Sequence, residues 1–408
     1  MKKFLFLLLP AFVGAQTLES LLDFAKQNNK LLEAQTLTKQ AKQKELDAQQ
    51  SSYYPTVDVG AFYQSLDERT PMVAGDIYSG YAKAGLDIYD GGKRSALVNQ
   101  KSSEFKASTY DESELKKSIS LQIVQDFYAI NSLNSARKAM EEANNSLKSQ
   151  LARVSAFYEA KLATKDEVDR LQSAYDTNVY NIEALKLDIL TLKQRMELQL
   201  GKKIDSLEES HFKEMFFESY ESVDALKSLE SSRDALRSSA DSLDSVYYPQ
   251  VRLEDTYSLY GYNDTDASHP EGLENQNKIM LSANFRLYDG GVVAQNKQAV
   301  ELNAEALSKR IAYKNDEQKM NYELARARIS TSKIKIQSAQ SALRAANSAF
   351  ETIEKKYSAG IVDNVAYLDA LTAQTSAVSL YETALNDLEI AYAFYYYYSG
   401  KNIEEFLQ

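Results

Sequence analysis

The chain has 408 residues, 58 acidic against 47 basic, a formal charge of −11, no cysteine, and two histidines, His211 and His269. That composition excludes disulfides, thiolate metal sites and multi-histidine centres, and it disfavours a phosphate backbone as partner; no cofactor, no metal and no nucleic acid is expected. Only 14 glycines and 5 prolines, with abundant Ala, Ser, Leu, Lys, Glu and Gln, favour long helices over loops.

Residues 1–15 have the form of a signal peptide. Lys2 and Lys3 precede the apolar run from Phe4 to Val13, and Val13-Gly14-Ala15 is a small-residue cleavage site. Ten apolar residues are too few to span a bilayer as a helix. Cleavage after Ala15 would expose Gln16 rather than a cysteine, so no lipid anchor is expected. The remaining 393 residues, without Lys2 and Lys3, would carry −13. They contain no run of 18 apolar residues, the length a spanning helix needs.

The rest of the chain is one unit written twice. Tyr53-Tyr54-Pro55 recurs as Tyr247-Tyr248-Pro249, 194 positions on. Tyr89-Asp90-Gly91-Gly92 recurs as Tyr288-Asp289-Gly290-Gly291, and Tyr158-Glu159-Ala160-Lys161-Leu162 faces Tyr357-Ser358-Ala359-Gly360-Ile361, both 199 positions on. The halves are 16–204 and 205–408, each with a helix, two strands, a very long helix, a turn and another helix.

In the first half, strands are expected at 56–66 and 78–89. Val57, Val59, Ala61 and Tyr63 alternate with Thr56, Asp58, Gly60, Phe62 and Gln64; Ala82, Ala84, Leu86 and Ile88 alternate with Tyr81, Lys83, Gly85 and Asp87. The second half repeats this at 250–262 and 278–288. Val251, Leu253, Tyr257 and Leu259 oppose Arg252, Glu254, Thr256 and Ser258; Ile279, Leu281, Ala283, Phe285 and Leu287 oppose Met280, Ser282, Asn284 and Arg286. Period two gives each strand one wet and one apolar face, and ten residues is the length of a tilted membrane strand. Polar loops containing Gly and Pro join the pairs at 67–77 and 263–277.

The helices have a different period. Residues 93–157 and 292–356 lack both Pro and Gly. Leu133, Met140, Leu147 and Val154 recur every seven residues before the first turn, near 158–166. Val168, Tyr175, Ile182, Ile189 and Met196 do so after it, beside a seam of Leu171, Leu185 and Leu192 that Asn178 interrupts. After the second turn, near 357–365, Leu371, Val378, Leu385 and Tyr392 continue the pattern. Sustained heptads indicate coiled coil.

Four amphipathic strands cannot close on themselves, and an open edge is not viable in lipid. Either helices cover the apolar strand faces in a soluble sheet, or several copies share one barrel. Two copies would give eight strands, an interior filled by side chains; three would give twelve and leave a lumen. In a shared barrel Tyr53, Tyr54, Tyr89, Tyr247, Tyr248 and Tyr288, all at strand ends, would form an interfacial girdle. The competing reading is a non-channel periplasmic coiled-coil scaffold of the cell envelope. No nucleophile, base or metal cluster stands out, so the chain is not expected to be an enzyme. Gly91-Gly92-Lys93-Arg94-Ser95 is not a phosphate loop, because Asp87 occupies the place of its first glycine.

Taken in this order, the motifs resemble the TolC family of outer-membrane efflux proteins, over essentially the whole mature chain. Thr17-Leu18-Glu19-Ser20-Leu21 with Asn28-Asn29-Lys30-Leu31 is similar to its opening helix. The duplicated Tyr-Tyr-Pro and Tyr-Asp-Gly-Gly are similar to its strand boundaries, and Tyr357-Ser358-Ala359-Gly360-Ile361 with Tyr367-Leu368-Asp369-Ala370 to its second hairpin turn. The resemblance implies a mainly α fold with a small membrane β part: a homotrimer with a 12-stranded β-barrel, four strands per chain, continued by an α-helical coiled-coil periplasmic tunnel. A collar would draw on residues near 201–222 and 400–408. It implies an exit duct for drugs, metals or secreted proteins, partnered by a periplasmic adaptor and an inner-membrane pump or secretion ATPase. The duct would sit in the outer membrane, in contact with its lipid, with a long periplasmic extension.

The resemblance also implies the sites. Asp369 matches a gating carboxylate and would form a ring of three charges. The second gating position falls on Ala366, and Asp363 is the substitute considered. Leu162, Ala163, Thr164 and Gly360, Ile361, Val362 resemble the adaptor-docking tips, with Lys161 where the second turn has Gly360. The run Phe394-Tyr395-Tyr396-Tyr397-Tyr398 is expected to pack in the collar, with His211 and His269 incidental.

Overall fold

The computed structural model describes residues 16–67, 75–204, 206–217, 219–263 and 273–408. The expected signal peptide, most of both strand-joining loops and His269 lie outside them. Helix α1 (Leu18–Asn28) starts at Thr17, whose hydroxyl accepts the Ser20 N–H at 3.3 Å. Asn29 ends it and starts α2 (Lys30–Ser51): its side-chain oxygen accepts the N–H groups of Leu31 at 2.9 Å and Leu32 at 3.1 Å. Strands β1 (Thr56–Ser65) and β2 (Asp76–Tyr89) follow, then α3 (Lys93–Glu159) and α4 (Lys165–Leu200). The second half runs α5 (Asp224–Asp244), β3 (Gln250–Asn263), β4 (Asn275–Asn284), α6 (Val292–Ser358) and α7 (Asn364–Tyr398). Helices α3 and α6 have 67 residues each, about 100 Å of unbroken helix at the usual rise.

The duplicated Tyr-Asp-Gly-Gly explains how a strand becomes such a helix. Gly91 and Gly92 take φ of 67° and 86°, and Gly290 and Gly291 take 72° and 85°, values costly for a residue with a Cβ. Asp90 accepts the N–H groups of Gly92 (3.1 Å) and Arg94 (2.9 Å); Asp289 accepts those of Gly291 (2.9 Å) and Val293 (2.8 Å). Each aspartate therefore satisfies the otherwise unpaired first amides of a long helix.

The four strands form one antiparallel sheet in the order β1-β2-β3-β4. Its register puts Val59, Ala82 and Tyr257 in one row of the apolar face, and Asp58, Lys83, Thr256 and Lys278 in one row of the wet face. A bulge at Asp87–Tyr89 pairs Tyr89 with Val251 and so turns that ring onto the apolar face. Among the described residues nothing covers the apolar face: Val57 is 72% and Val59 83% exposed, and Leu259, Ile279 and Leu281 are exposed as well. Among the described residues β1 and β4 each pair on one side only.

The expected fourth strand, 278–288, is corrected at its end. β4 stops at Asn284, because Gln250, the first residue of β3, pairs with Asn284 and nothing lies beyond it in the ladder. Phe285, Leu287 and Tyr288 are left exposed. At its start β4 reaches back to Asn275, and β2 to Asp76.

The chain divides into two compact units that do not follow the halves of the sequence; each takes pieces from both. One comprises residues up to Ala34, Glu112–Asp224 and Asn315–Gln408; the other Gln35–Asp111 and Ala225–Lys314, including the sheet. In the first unit α4 lies on α3 through the expected seam: Leu171, Ile182, Ile189, Met196, Leu147 and Val154 are buried. Asn178, the break in that seam, donates to the Met140 carbonyl at 2.7 Å, so the polar residue ties the two helices together. On α7 the expected seam is buried at Leu371 and Tyr392 but not at the two positions between them. Ala377, Ala384 and Ala391 are buried, whereas Val378 and Leu385 are half-buried, because alanine lets a neighbouring backbone approach closely and the larger side chains then flank the contact.

In the same unit, α1 adds Leu18, Leu21 and Leu22, all fully buried, to a core shared with Phe127, Tyr128, Tyr395, Tyr396 and Phe406. The tyrosine run supplies its polar bolts. Phe217 N–H donates to the Tyr395 hydroxyl at 2.7 Å, and the Tyr396 and Tyr397 hydroxyls donate to the Lys213 carbonyl and Glu114. Burial pushes the Tyr396 hydroxyl up to about 12.

Candidate functional site

The candidate residues fall in three places. On the helix side of the sheet, all six girdle tyrosines are exposed: Tyr53, Tyr54, Tyr89, Tyr247, Tyr248 and Tyr288, the last beyond the end of β4 at Asn284 rather than at a strand end. Arg94 lies 4.7 Å over the Tyr53 ring, and Tyr247 donates to Asp289 at 2.9 Å. Sequence reasoning missed a second aromatic pair at the opposite end of the sheet. Tyr63 and Tyr78 face each other on the apolar side at 4.9 Å, and Tyr63 donates to Asp76 at 3.0 Å. The signal was present as Tyr63 and Tyr78 near the loop-side ends of β1 and β2.

The wet face carries a charged network. Arg252 contacts Asp87 at 3.0 Å and Glu254 at 2.8 Å, and Lys83 contacts Glu254 at 2.9 Å. Gly85 makes room for it, since a Cβ there would lie 2.6 Å from the Arg252 guanidinium.

The helical turns have matched geometry. Leu162 N–H bonds back to the Phe157 carbonyl (2.7 Å) and Ile361 N–H to the Lys356 carbonyl (2.9 Å), while Lys161 and Gly360 bond to Tyr158 and Tyr357. These are paired helix-ending bonds that need a left-handed residue. Gly360 has φ 72° and Lys161, in its place, φ 62°. Leu162 and Ile361 are both over 70% exposed, Val362 and Ala163 less so. Thr164 starts α4, with the Glu167 side chain accepting its N–H at 3.0 Å. Beneath the turns Tyr357 stacks on the buried Tyr367 at 4.8 Å, and Arg153 lies 5.1 Å over Tyr357. Because lysine pays a left-handed penalty that glycine avoids, Lys161→Gly should raise stability by about 1 kcal/mol, read as a higher thermal midpoint of helical circular dichroism.

The two carboxylate candidates separate. Asp363 is the first-turn cap of α7, accepting the Ala366 N–H at 3.0 Å. Asp369 is exposed on α7 one and a half turns later. The structure does not bring them into one cluster.

A carboxylate that sequence reasoning passed over is Glu389 on α7. Largely buried, it accepts the Phe212 N–H at 2.8 Å and lies 3.1 Å from His211 Nδ1. Burial, the largest influence, pushes its pKa up from the ordinary glutamate value, against the two hydrogen bonds. A raised folded value means that the folded state holds the proton more tightly. Glu389 therefore favours folding below its unfolded value, and this contribution is lost as pH rises through the raised one. Glu389→Gln keeps an acceptor without the charge. It should match or exceed the wild type in thermal midpoint at neutral pH, with the gap closing as pH falls toward the ordinary glutamate range.

Together these parts are a membrane sheet with uncovered apolar face and open edges, joined in sequence to coiled-coil helices: the subunit fold of an outer-membrane channel. The sequence matches the family described as outer membrane efflux protein over residues 21–202 and 220–395, and the chain belongs to that family. It resides in the outer membrane as an efflux channel component and not as an enzyme. Among solved structures it is similar to the Campylobacter jejuni CmeC outer membrane channel, with TM-score 0.85 and 16% identity over 94% of this chain and 85% of that one. It is also similar to the Vibrio cholerae outer membrane protein VceC (0.82, 14%, covering 95% and 96%) and to the Neisseria gonorrhoeae MtrE outer membrane channel (0.76, 12%, covering 95% and 89%). No curated protein matches the sequence. The expected fold class, mainly α with a small four-stranded membrane part, is the one found.

Proposed function

We propose that three copies assemble head to tail, the β4 edge of one pairing with the β1 edge of the next, into a single 12-stranded barrel that serves as an exit duct. The observation that carries this reading is the uncovered apolar strand face combined with two unpaired sheet edges. Eight strands from two copies would be filled by side chains, whereas twelve leave a lumen. The helices support the same assembly: Tyr180, Leu187 and Leu198 on α4 and Met320, Leu324 and Ile334 on α6 are large, apolar and exposed, as faces awaiting neighbouring copies are. A soluble coiled-coil scaffold would have no use for the bare apolar sheet.

No nucleotide motif is present in the sequence, so energy for transport comes from a partner: an inner-membrane pump or secretion ATPase coupled through a periplasmic adaptor. The paired turns at Leu162, Ala163, Thr164 and Gly360, Ile361, Val362 present exposed apolar tips for that adaptor. The strand-end tyrosines sit at the lipid interface. Asp369, exposed and not engaged as a cap, is the gate carboxylate; three copies bring three charges into a ring that attracts cations. Asp363 is occupied in capping α7, so its role is structural.

The test is conductance in planar bilayers of the full-length protein, alongside heat-modifiable migration of the assembly. Wild type should conduct and be blocked by divalent cations. Asp369→Asn should weaken that block by roughly tenfold, and unchanged ion dependence would remove Asp369 from the gate. A protein recovered monomeric and non-conducting would remove the duct.

A further inference from the structure

The wet face of the sheet is not uniformly wet. Its charges, among them Lys83, Asp87, Arg252 and Glu254, lie on the side nearer the helices. Toward the loop side the register aligns three further rows: Gly60 with Tyr81 and Ser258, Phe62 with Ser79 and Tyr260, and Gln64 with Ile77 and Tyr262. No residue of β1, β2 or β3 in these rows is charged. Four of them are aromatic, on a face that membrane barrels usually keep polar. Tyr260 and Tyr262 stack at 6.4 Å with 15° between their planes, and Phe62 is exposed. The tip of Tyr81 reaches Gly60, where a Cβ would lie 2.5 Å from its ring and hydroxyl.

Two observations mark this zone as a contact site rather than as packing. Ser79, in register between Phe62 and Tyr260, is 5% exposed, and among the described residues its hydroxyl has no hydrogen-bond partner. A buried hydroxyl without a partner is costly, and a ligand group there would satisfy it. Glu274 stands beside the zone at the bend into β4, where its carbonyl accepts the Tyr260 N–H at 2.9 Å. Ring faces and a carboxylate both attract positive charge.

We propose that Phe62, Tyr81, Tyr260 and Tyr262, with Ser79 and Glu274, form a binding site for aromatic organic cations on the lumen wall near the outer mouth. The site rests on the duct reading, since only a shared barrel makes the wet face a lumen. Aromatic cargo would slow there through stacking and cation–π contact, and small hydrated ions would pass. The site therefore selects at the exit, independently of any pump.

The test uses full-length protein in planar bilayers, with two blockers added from the loop side. Naphthylmethylammonium and its saturated decalin counterpart have the same charge and similar size. In wild type the aromatic ion should block at roughly tenfold lower concentration. The triple change Phe62→Leu, Tyr260→Leu and Tyr262→Leu should abolish that preference with conductance retained. The single change Tyr260→Leu, which keeps apolar bulk, should reduce the preference if the triple variant fails to assemble. Glu274→Gln should weaken both ions alike. Equal block by the two ions in a conducting wild type, or a preference that survives Tyr260→Leu, overturns the site and leaves the duct standing. A wild type that never conducts overturns the duct, and the site with it.

Discussion

Gly91→Ala should lower the stability of the sheet-bearing unit by about 3 kcal/mol, whereas the same change at Gly290, its counterpart in the second half, should cost about 1 kcal/mol. Both glycines have the left-handed backbone, at φ 67° and 72°, so both variants incur the same conformational penalty. Their surroundings differ. A Cβ on Gly91 would lie 2.6 Å from the Tyr248 Cβ and 2.8 Å from the Ser245 carbonyl, whereas nothing stands within 4 Å of one on Gly290. The Tyr248 Cβ and the Ser245 backbone cannot swing aside as the end of a long side chain can, so the strand-to-helix passage itself must shift. Thermal midpoints of the two variants in detergent, followed by circular dichroism, check this. Equal losses would show that the close approach at Gly91 relaxes freely.

Arg195→Met should destabilise the other unit by about 3 kcal/mol. Asp126 on α3 is fully buried beside Phe127 and Ile123, and its carboxylate is held by Arg195 Nε at 2.9 Å, by a second Arg195 nitrogen, and by Gln122 at 3.1 Å. Removing the guanidinium leaves a buried negative charge with one neutral donor. Asp126→Leu in the same protein should restore most of the loss, because two apolar side chains at such a site are often no worse than an ion pair. A four-member cycle of denaturation midpoints isolates the coupling. A double variant as unstable as Arg195→Met alone would show that packing, not the stranded charge, sets the cost.

These two sites differ in how far the sequence discloses them. Gly91 is half of a visible repeat, and its need for a left-handed backbone can be read from Gly-Gly between a strand and a helix. The obstruction by Tyr248 and Ser245 cannot be read, because those residues lie more than 150 positions away and arrive through the β2–β3 pairing. The Asp126–Arg195 pair spans 69 positions between two helices of similar heptad pattern, and nothing in either helix singles out the partners. Glu389 was silent for the same reason: a glutamate on a helix looks like a solvated one until Phe212 and His211 settle on it.

What the sequence determined by itself is everything that depends on local period. Alternation of two made the strands and their two faces legible, runs without Gly or Pro set the two 67-residue helices, and the duplicated Tyr-Asp-Gly-Gly marked where strand becomes helix. Lys161 in place of Gly360 was visible too, although only the structure showed that the lysine adopts the left-handed backbone. What the tertiary structure alone decided is what depends on which distant residues share a row or a core. It ended β4 at Asn284 because its partner strand begins at Gln250, sank Ala377 and Ala384 of α7 deeper than their neighbours Val378 and Leu385, and divided the wet face of the sheet into charged and aromatic rows. Side-chain direction repeats along a single strand or helix and is encoded there. Register between elements is chosen by the packing of the whole and is written in no one of them.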